Sequence, residues 1–180
     1  MKLYYRILKI YELKRKNRME KRDLYNSDRI KTGETIFKGE DIPKDRYILV
    51  VLVFIENSEG KFLIQKRSKA ENGKYATTGG HPKSGETSLE GILTEVEEEL
   101  GLKLNSKDLT LYCTGKSEKQ KVFWDDYYIK LDIQNIENLK LQKEEVEKVV
   151  WLSKDEIIEY MEQGKFFEIH YEAFKRLVNL

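Results

Sequence analysis

The chain has 180 residues, of which 39% are apolar and 36% charged, a composition typical of a globular protein rather than a disordered one. Its 33 basic and 32 acidic residues nearly balance, which argues against a broad basic surface for nucleic acid. The single cysteine, Cys113, excludes a disulfide within the chain and fits a reducing compartment, so we expect a cytoplasmic protein. The longest apolar run, residues 47–55, is too short to cross a membrane, and the N-terminus lacks the apolar block of a cleaved signal peptide.

Residues 1–18 form a basic segment, with seven lysines and arginines against one acidic residue. Its apolar residues recur at helical spacing, which predicts an amphipathic helix. Packing on its own domain or on the second copy of a homodimer is favoured over docking on an acidic surface. Alternatively, Met19 is the translation start and the segment is not part of the protein. The predicted organisation is an N-terminal extension over 1–18 and one domain over 19–180.

The rest of the chain alternates strand and helix patterns. A short hairpin or an extended arm is expected around Gly33 over residues 25–36, and a glycine-rich loop over residues 68–86. Two capping boxes, at residues 87–90 and 153–156, predict the starts of two helices, and a third helix is expected from residue 168 onwards. Strands are predicted over residues 47–55, 62–66, 109–114, 122–132 and 146–152. This order predicts a mixed α/β (α+β) fold in which helices cover both faces of a sheet.

The first predicted helix has three glutamates on one face. At 100° per residue, Glu95, Glu98 and Glu99 converge, whereas Glu97 points elsewhere. Within the predicted helix no basic residue lies three or four positions away to neutralise the three, and two of them stand at the negative end of the helix dipole. The pattern is compatible with a solvated acidic face and with a site for a hard divalent cation such as Mg²⁺.

Residues 80–102 resemble the Nudix box. That pattern is Gly, five residues, Glu, seven residues, Arg-Glu, an aliphatic residue, any residue, Glu-Glu, any residue, Gly and an aliphatic residue. The positions that match are Gly80, Glu86, Glu95, Val96, Glu98, Glu99, Gly101 and Leu102. Thr94 is the one departure, because it stands where the family has an arginine that pairs with box carboxylates. Lys83, Lys103 and Lys116 are the candidates to replace that charge.

The resemblance implies a Nudix-type α/β/α sandwich with a mixed β-sheet and a hydrolase that cleaves a diphosphate linkage with Mg²⁺, or with Mn²⁺. It implies that Glu95, Glu98 and Glu99 are metal ligands, one of them also a candidate general base. Glu86 is implied to support the loop or to reach the metal through water. Many members add a later carboxylate, for which Glu145 is the candidate, with Glu144 and a purely solvated loop acid as alternatives.

The wider chain, about residues 20–165, resembles the isopentenyl-diphosphate isomerase-like branch of this superfamily. The segments that carry that likeness are 23–26, 32–33, the predicted strand 47–55, 65–67 and 80–82. In the isomerases a cysteine precedes the Gly-His-Pro sequence and takes part in proton transfer, but this chain has Gly79 there. The N-terminal metal-binding histidines of the isomerases are also absent, so isomerase activity is not expected.

Five further residues are candidates for substrate binding. Arg67 and Lys66 are placed to contact phosphates, with solvated basic side chains as the alternative. Tyr75 and Trp124 are candidates to stack on a nucleobase, with core packing as the alternative. His81 is a candidate for phosphate or metal, although hydrogen bonding with the loop backbone is favoured.

Two functions follow from this pattern. The first is a metal-dependent hydrolase of a nucleoside diphosphate derivative or a related small-molecule diphosphate. The second is a non-catalytic Nudix-fold module that binds a nucleotide or a partner, which Thr94 and the basic N-terminal segment suggest. Neither nucleic acid nor a membrane is the expected partner.

Overall fold

A mixed seven-stranded β-sheet forms the centre of the structure, a computed structural model that describes residues 20–179. The predicted helix over residues 1–18 lies outside the described residues. A two-stranded hairpin precedes the large sheet, and three helices pack on that sheet. The strands are β1 (Lys21–Tyr25), β2 (Lys31–Phe37), β3 (Ile48–Glu56), β4 (Phe62–Arg67), β5 (Tyr75–Ala76), β6 (Thr78–Gly80), β7 (Thr110–Ser117), β8 (Val122–Lys130) and β9 (Val146–Leu152). The helices are α1 (Ser88–Leu100), α2 (Lys154–Glu162) and α3 (Glu168–Val178).

The sheet combines one parallel pair with antiparallel pairs. β3 pairs in parallel with β8 along its whole length, and β8 pairs with β7 in the antiparallel direction. β3 meets β4 only where Glu56 lies opposite Phe62. Beyond that point the two strands separate, so that β6 pairs with β3 while β5 and β9 pair with β4. The predicted mixed α/β fold is confirmed.

The alternation of side chains along β3 builds the core on both faces of the sheet. Val51 and Val53 face α1 and pack with Ile92 and Val96 in one cluster. Residues 52 and 54 belong to a second cluster that contains α2 and α3. Because successive strand residues point to opposite faces, the continuous apolar run of β3 is the pattern expected for a strand covered on both sides.

Both predicted capping boxes are present. The Thr87 side chain accepts a hydrogen bond from the backbone N–H of Glu90, and the Glu90 side chain accepts one in return from the Thr87 backbone. Ser153 and Glu156 make the same reciprocal pair at the start of α2. These caps satisfy backbone N–H groups that have no partner within the helix, so the helix starts were readable from local sequence.

Two sequence predictions about the N-terminal half are wrong. The hairpin does not turn at Gly33, which lies within β2, but over residues 26–30, where the Asn26 side chain accepts from the backbone N–H groups of Asp28 and Ile30. The segment 68–86 is not wholly a loop, because it contains the short strands β5 and β6. Among residues 20–179, no helix combines the length and apolar character that a membrane span requires.

Candidate active site

A cavity of about 960 Å³ lies where β3 and β4 separate. β3 and β6 contribute Leu52, Gly79 and Gly80 to its wall. Carboxylates of α1, basic side chains of the β1–β2 hairpin and polar side chains of β8 and α3 complete it. The charged and polar residues that line it include Arg22, Lys38, Arg67, Glu95, Glu98, Trp124, Asp126, Glu145, His170 and Arg176.

The carboxylate of Glu95 lies directly against the backbone of Gly80. A Cβ atom at residue 80 would overlap that carboxylate, so only glycine allows this approach. The backbone N–H of His81 donates to Glu95 Oε1 at 3.0 Å. Burial, together with the nearby charges of Glu99 and Glu20, raises the pKa of Glu95 to about 8. Ionising this side chain therefore costs free energy, and within residues 20–179 no basic side chain offsets that cost by direct contact.

Glu99 lies one turn after Glu95 and is almost fully buried, with 1% of its surface exposed. Its carboxylate accepts hydrogen bonds from Gln65 Nε2 at 2.6 Å and from Arg67 Nη1 at 2.8 Å. Burial raises the pKa of Glu99 to about 7, although Arg67 and Gln65 act in the opposite direction. Glu95 and Glu99 are thus two neighbouring carboxyl groups whose pKa values are both raised.

Thr94, the departure from the box pattern, holds Glu86. The Thr94 hydroxyl donates to Glu86 Oε1 at 2.8 Å, and the backbone N–H of Lys83 donates to Glu86 Oε2 at 2.7 Å. The ammonium group of Lys83 pairs with Glu98, the exposed glutamate of the acidic face. Of the candidates to replace the arginine charge, Lys83 is therefore the one in contact with a predicted ligand.

The other two candidate cations pair elsewhere. Lys103 contacts Glu97 at 3.2 Å, on the side of α1 away from the cavity-lining glutamates. Lys116, near the end of β7, contacts Glu118 at 2.6 Å. Neither has an ion pair with a box glutamate among the described residues.

Arg67 joins three carboxylates at the edge of the cavity. It contacts Glu99 at 2.8 Å, Glu71 at 3.2 Å and Glu145 at 3.4 Å. Burial lowers the pKa of Arg67, but the carboxylates outweigh that effect and raise it. Lys38 approaches Glu145 at 3.9 Å. The structure thus brings Glu145 to the acidic group, whereas Glu144 is exposed and does not line the cavity.

The acidic side chains have the donor chemistry that Mg²⁺ prefers, because all are carboxylates. Within residues 20–179, no three acidic, histidine or cysteine side chains already form a metal-holding group. Arg67 and Gln65 occupy the carboxylate of Glu99, and Lys83 occupies that of Glu98. The carboxylate donors are what fit a cation, and a nearby positive charge would favour the ionised forms of Glu95 and Glu99, whose pKa values are raised.

The remaining predicted residues divide into two groups. His81 and Trp124 line the cavity, and burial lowers the pKa of His81 to about 3, so its imidazole is neutral at physiological pH. Lys66 and Tyr75 do not line it. Lys66 pairs with Glu147 at 2.9 Å, and the Tyr75 ring packs on another tyrosine at 4.7 Å.

Sequence reasoning missed a polar corner formed by β8 and α3. Asp126 is fully buried, and its Oδ2 accepts a hydrogen bond from Arg176 Nη2 at 2.7 Å. The guanidinium carbon of Arg176 lies 5.3 Å from the centre of the Trp124 ring, which needs the bare backbone of Gly115 beside it. Asp126 Oδ1 and Trp124 Nε1 are buried without a partner in the described part of the chain. No local motif marks these residues, because α3 meets β8 only in the folded chain.

Comparisons with known proteins agree with this architecture. The family model of the NUDIX domain matches residues 46–177, and the chain therefore belongs to the Nudix family. The uncharacterized Nudix hydrolase lmo0368 of Listeria monocytogenes is 36% identical over 167 residues, which cover 90% of this chain and 95% of the relative. The uncharacterized Nudix hydrolase all7351 of Nostoc is 35% identical over 123 residues, which cover 64% of this chain and 70% of the relative.

Solved structures show the same fold. DR0079 from Deinococcus radiodurans superposes with a TM-score of 0.70 at 22% identity, covering 87% of this chain and 98% of that one. The NUDIX domain of Shewanella oneidensis NrtR, complexed with ADP ribose, superposes with a TM-score of 0.59 at 15% identity, covering 74% and 87% of the two chains. The Nudix-type sandwich expected from the box is thereby confirmed.

Proposed function

We propose that this protein is a divalent-metal-dependent hydrolase that cleaves the diphosphate linkage of a nucleoside diphosphate derivative. The observation that carries the proposal is that Glu95, which lines the cavity, and the buried Glu99 lie one turn apart on α1, with pKa values raised to about 8 and about 7. Acids with strongly perturbed pKa values beside a cleft are typical of active sites.

The proposed ligands of Mg²⁺ are Glu95, Glu98 and Glu99, with Glu145 as a further carboxylate. When bound, the cation supplies neutralisation of phosphate charge and a lowered pKa for a coordinated water. Glu98 is free to take part once Lys83 releases it, because both side chains are substantially exposed, at 50% and 39%. Mn²⁺ suits the same oxygen donors.

The side chains of this chain then have separate tasks. Gly80 and His81 hold the Glu95 carboxylate, and Arg67 holds that of Glu99. One carboxylate of the group takes a proton from the attacking water while the oxygen of that water forms a bond to a phosphorus atom. The bond from that phosphorus to the bridging oxygen breaks, and the second phosphate leaves with the bridging oxygen. Addition of one water thus gives two phosphate-bearing products.

The structure gives no support to isomerase chemistry. Gly79 lies in β6 with its backbone paired against β3, and a Cβ atom there would overlap the carbonyl oxygen of Val51 and the side chain of Leu52. A cysteine at this position would therefore require the strand to move. The cysteine, one of the two proton-transfer groups that isomerisation needs, is missing, and the space for its side chain is occupied by Val51 and Leu52.

A second candidate function is a non-catalytic nucleotide-binding module. The ion pair between Lys83 and Glu98 favours it, because this contact neutralises one proposed ligand without a metal. The two functions differ in one measurement. A module binds nucleotide without metal-dependent turnover, whereas a hydrolase releases phosphate-bearing products.

The test is a substrate panel with Mg²⁺ or Mn²⁺ that contains nucleoside diphosphates, nucleoside triphosphates and ADP-ribose, the compound present in the Shewanella complex. Glu95→Gln and Glu98→Gln should each lower kcat by at least about 100-fold, because each removes a proposed metal ligand. Glu97→Gln is the matched control, since Glu97 is exposed on another side of α1 and pairs with Lys103. The hydrolase proposal would be rejected if no compound of the panel were turned over, or if all three variants turned substrate over as fast as the parent.

A further inference from the structure

The β1–β2 hairpin lies outside the stretch matched by the family model, yet it contributes to the cavity. The family match begins at residue 46, whereas the hairpin covers Lys21–Tyr25 and Lys31–Phe37. Arg22 of β1 and Lys38, just after β2, both line the cavity. His81 and Glu95 line the same cavity, so both basic residues share it with the loop that holds Glu95.

Polar contacts fix this hairpin to the loop of the Nudix box. Asp23 accepts hydrogen bonds from the Ser84 hydroxyl at 2.6 Å and from the backbone N–H of Gly85 at 3.0 Å. The backbone N–H of Ser84 donates to the carbonyl oxygen of Lys21 at 2.8 Å. Residue 22 is therefore held on both sides, because its two neighbours in β1 each bond to the loop.

A third attachment comes from β2. Lys31 pairs with Asp23 at 2.7 Å, and its ammonium group also donates to the carbonyl oxygen of Glu86 at 2.9 Å. These contacts make the position of β1 relative to the box loop a defined feature of the fold. A side chain that points from β1 toward the cavity is thus preorganised for a ligand that binds there.

Arg22 is the side chain in that position, and within the described residues 20–179 it forms no ion pair with a carboxylate. Burial lowers the pKa of Arg22, while Glu20 and Glu95 act on it through space without a hydrogen bond. Its Nε atom is buried and has no hydrogen-bond partner within residues 20–179. A partly buried guanidinium with an unused N–H donor is costly unless an anion completes its contacts.

We propose that the β1–β2 hairpin forms part of the active site and that Arg22, assisted by Lys38, binds a phosphate group of the diphosphate substrate. The proposal rests on the proposed function for its substrate, but the site is a phosphate site in its own right. Guanidinium N–H groups match phosphate oxygens in geometry and charge, and a phosphate beside Glu95 would also balance a cation held by the acids. Asp23 acts as a positioning residue, because it holds β1 against the loop.

The first experiment measures binding of inorganic pyrophosphate by calorimetry, with and without Mg²⁺. Arg22→Gln should weaken binding by about 10- to 100-fold, the usual effect of removing a charged hydrogen-bond donor. Lys21→Gln is the matched control, because Lys21 is the adjacent, exposed basic residue of the same strand. The affinity of this variant for pyrophosphate should stay within about twofold of that of the unsubstituted protein. The pyrophosphate affinity of Asp23→Asn should lie between those of Arg22→Gln and Lys21→Gln. Arg22→Lys should bind more tightly than Arg22→Gln and less tightly than the unsubstituted protein.

The second experiment separates this proposal from the proposed function. For any panel substrate that is turned over, Arg22→Gln should raise KM about 10-fold or more and change kcat less. Turnover with the same KM and the same pyrophosphate affinity in Arg22→Gln would overturn the phosphate site and leave the hydrolase intact. Pyrophosphate binding that depends on Arg22 without any turnover would reject the hydrolase and support the site. Failure of the unsubstituted protein to bind pyrophosphate in either condition would overturn the site.

Discussion

Replacing Glu95 by glutamine should stabilise the metal-free protein in a way that depends on pH. In the unfolded chain the pKa of this carboxyl returns to its ordinary value of 4.5, whereas in the folded protein it is raised to about 8. Below pH 4.5 the carboxyl is protonated in both states and costs nothing. Between pH 4.5 and 8 the folded state retains the proton that the unfolded state has lost, so stability falls as the pH rises, and above pH 8 the loss is complete.

The size of the effect follows from the pKa difference. One pKa unit corresponds to about 1.4 kcal/mol, so the rise from 4.5 to about 8 is equivalent to about 5 kcal/mol against the ionised form. We expect glutamine to recover roughly 2 kcal/mol of this at pH 8, because water entry and side-chain rearrangement relieve part of the cost in the parent. Glutamine still offers an oxygen to the backbone N–H of His81, so the contact in the loop is retained.

The assay is urea unfolding at pH 5 and pH 8 in the presence of a chelator. At pH 5 the free energy of unfolding of Glu95→Gln should lie within about 0.5 kcal/mol of that of the parent. At pH 8 it should be roughly 2 kcal/mol higher than that of the parent. Mg²⁺ at pH 8 should then stabilise the parent and leave the variant unchanged, since only the parent has the complete carboxylate group. A variant that is less stable than the parent at pH 8, or a difference that is the same at both pH values, would refute the reasoning.

Three further predictions concern the surroundings of this carboxylate and of the cavity. Gly80→Ala should lower kcat at least about 10-fold while retaining the fold, because the added methyl group would overlap the carboxylate of Glu95; circular dichroism and steady-state kinetics check both parts. Thr94→Val, which removes the hydroxyl bond to Glu86, should lower kcat/KM by about 3- to 10-fold, whereas Thr94→Ser should keep it. Trp124→Phe, which removes a buried and unpaired N–H group but keeps an aromatic ring, should change the preference among nucleoside diphosphates by about 10-fold without altering the metal requirement. An unchanged kcat in the first case, equal effects of both substitutions in the second, or an identical substrate order in the third would contradict the corresponding argument.

The sequence was most informative where local chemistry decides the structure. Thr87 and Ser153 mark helix starts because their side chains cap the adjacent turn, an interaction that spans only three residues. The apolar run at 47–55 predicted a strand covered on both faces, which the structure places at Ile48–Glu56, because burial on one face alone would have required alternating polar residues. The acidic face of α1 was readable for the same reason, since helical spacing alone brings Glu95 and Glu99 together.

The rest of the site depends on contacts between distant parts of the chain. β5 and β6 have two and three residues, too few for a pattern, and exist because β4 and β3 provide partners for them. The hairpin turn was misplaced because Gly33 is a stronger local signal than Asn26, whose side chain forms the actual turn. Arg22 and Arg176 reach the cavity from opposite ends of the chain, and no spacing rule connects them with the box.

The separation of β3 from β4 has a consequence for how this fold acquires new specificities. The opening between the two strands is made by backbone pairing, because β6 takes the free edge of β3 while β5 and β9 take the edges of β4. Substitutions on β8, α3 or the hairpin can therefore alter what the cavity recognises without closing it. The α1 carboxylates are attached to a different element and need not change with them. On the proposed function, substitutions that change ligand preference can therefore accumulate around the cavity while the α1 carboxylates stay the same.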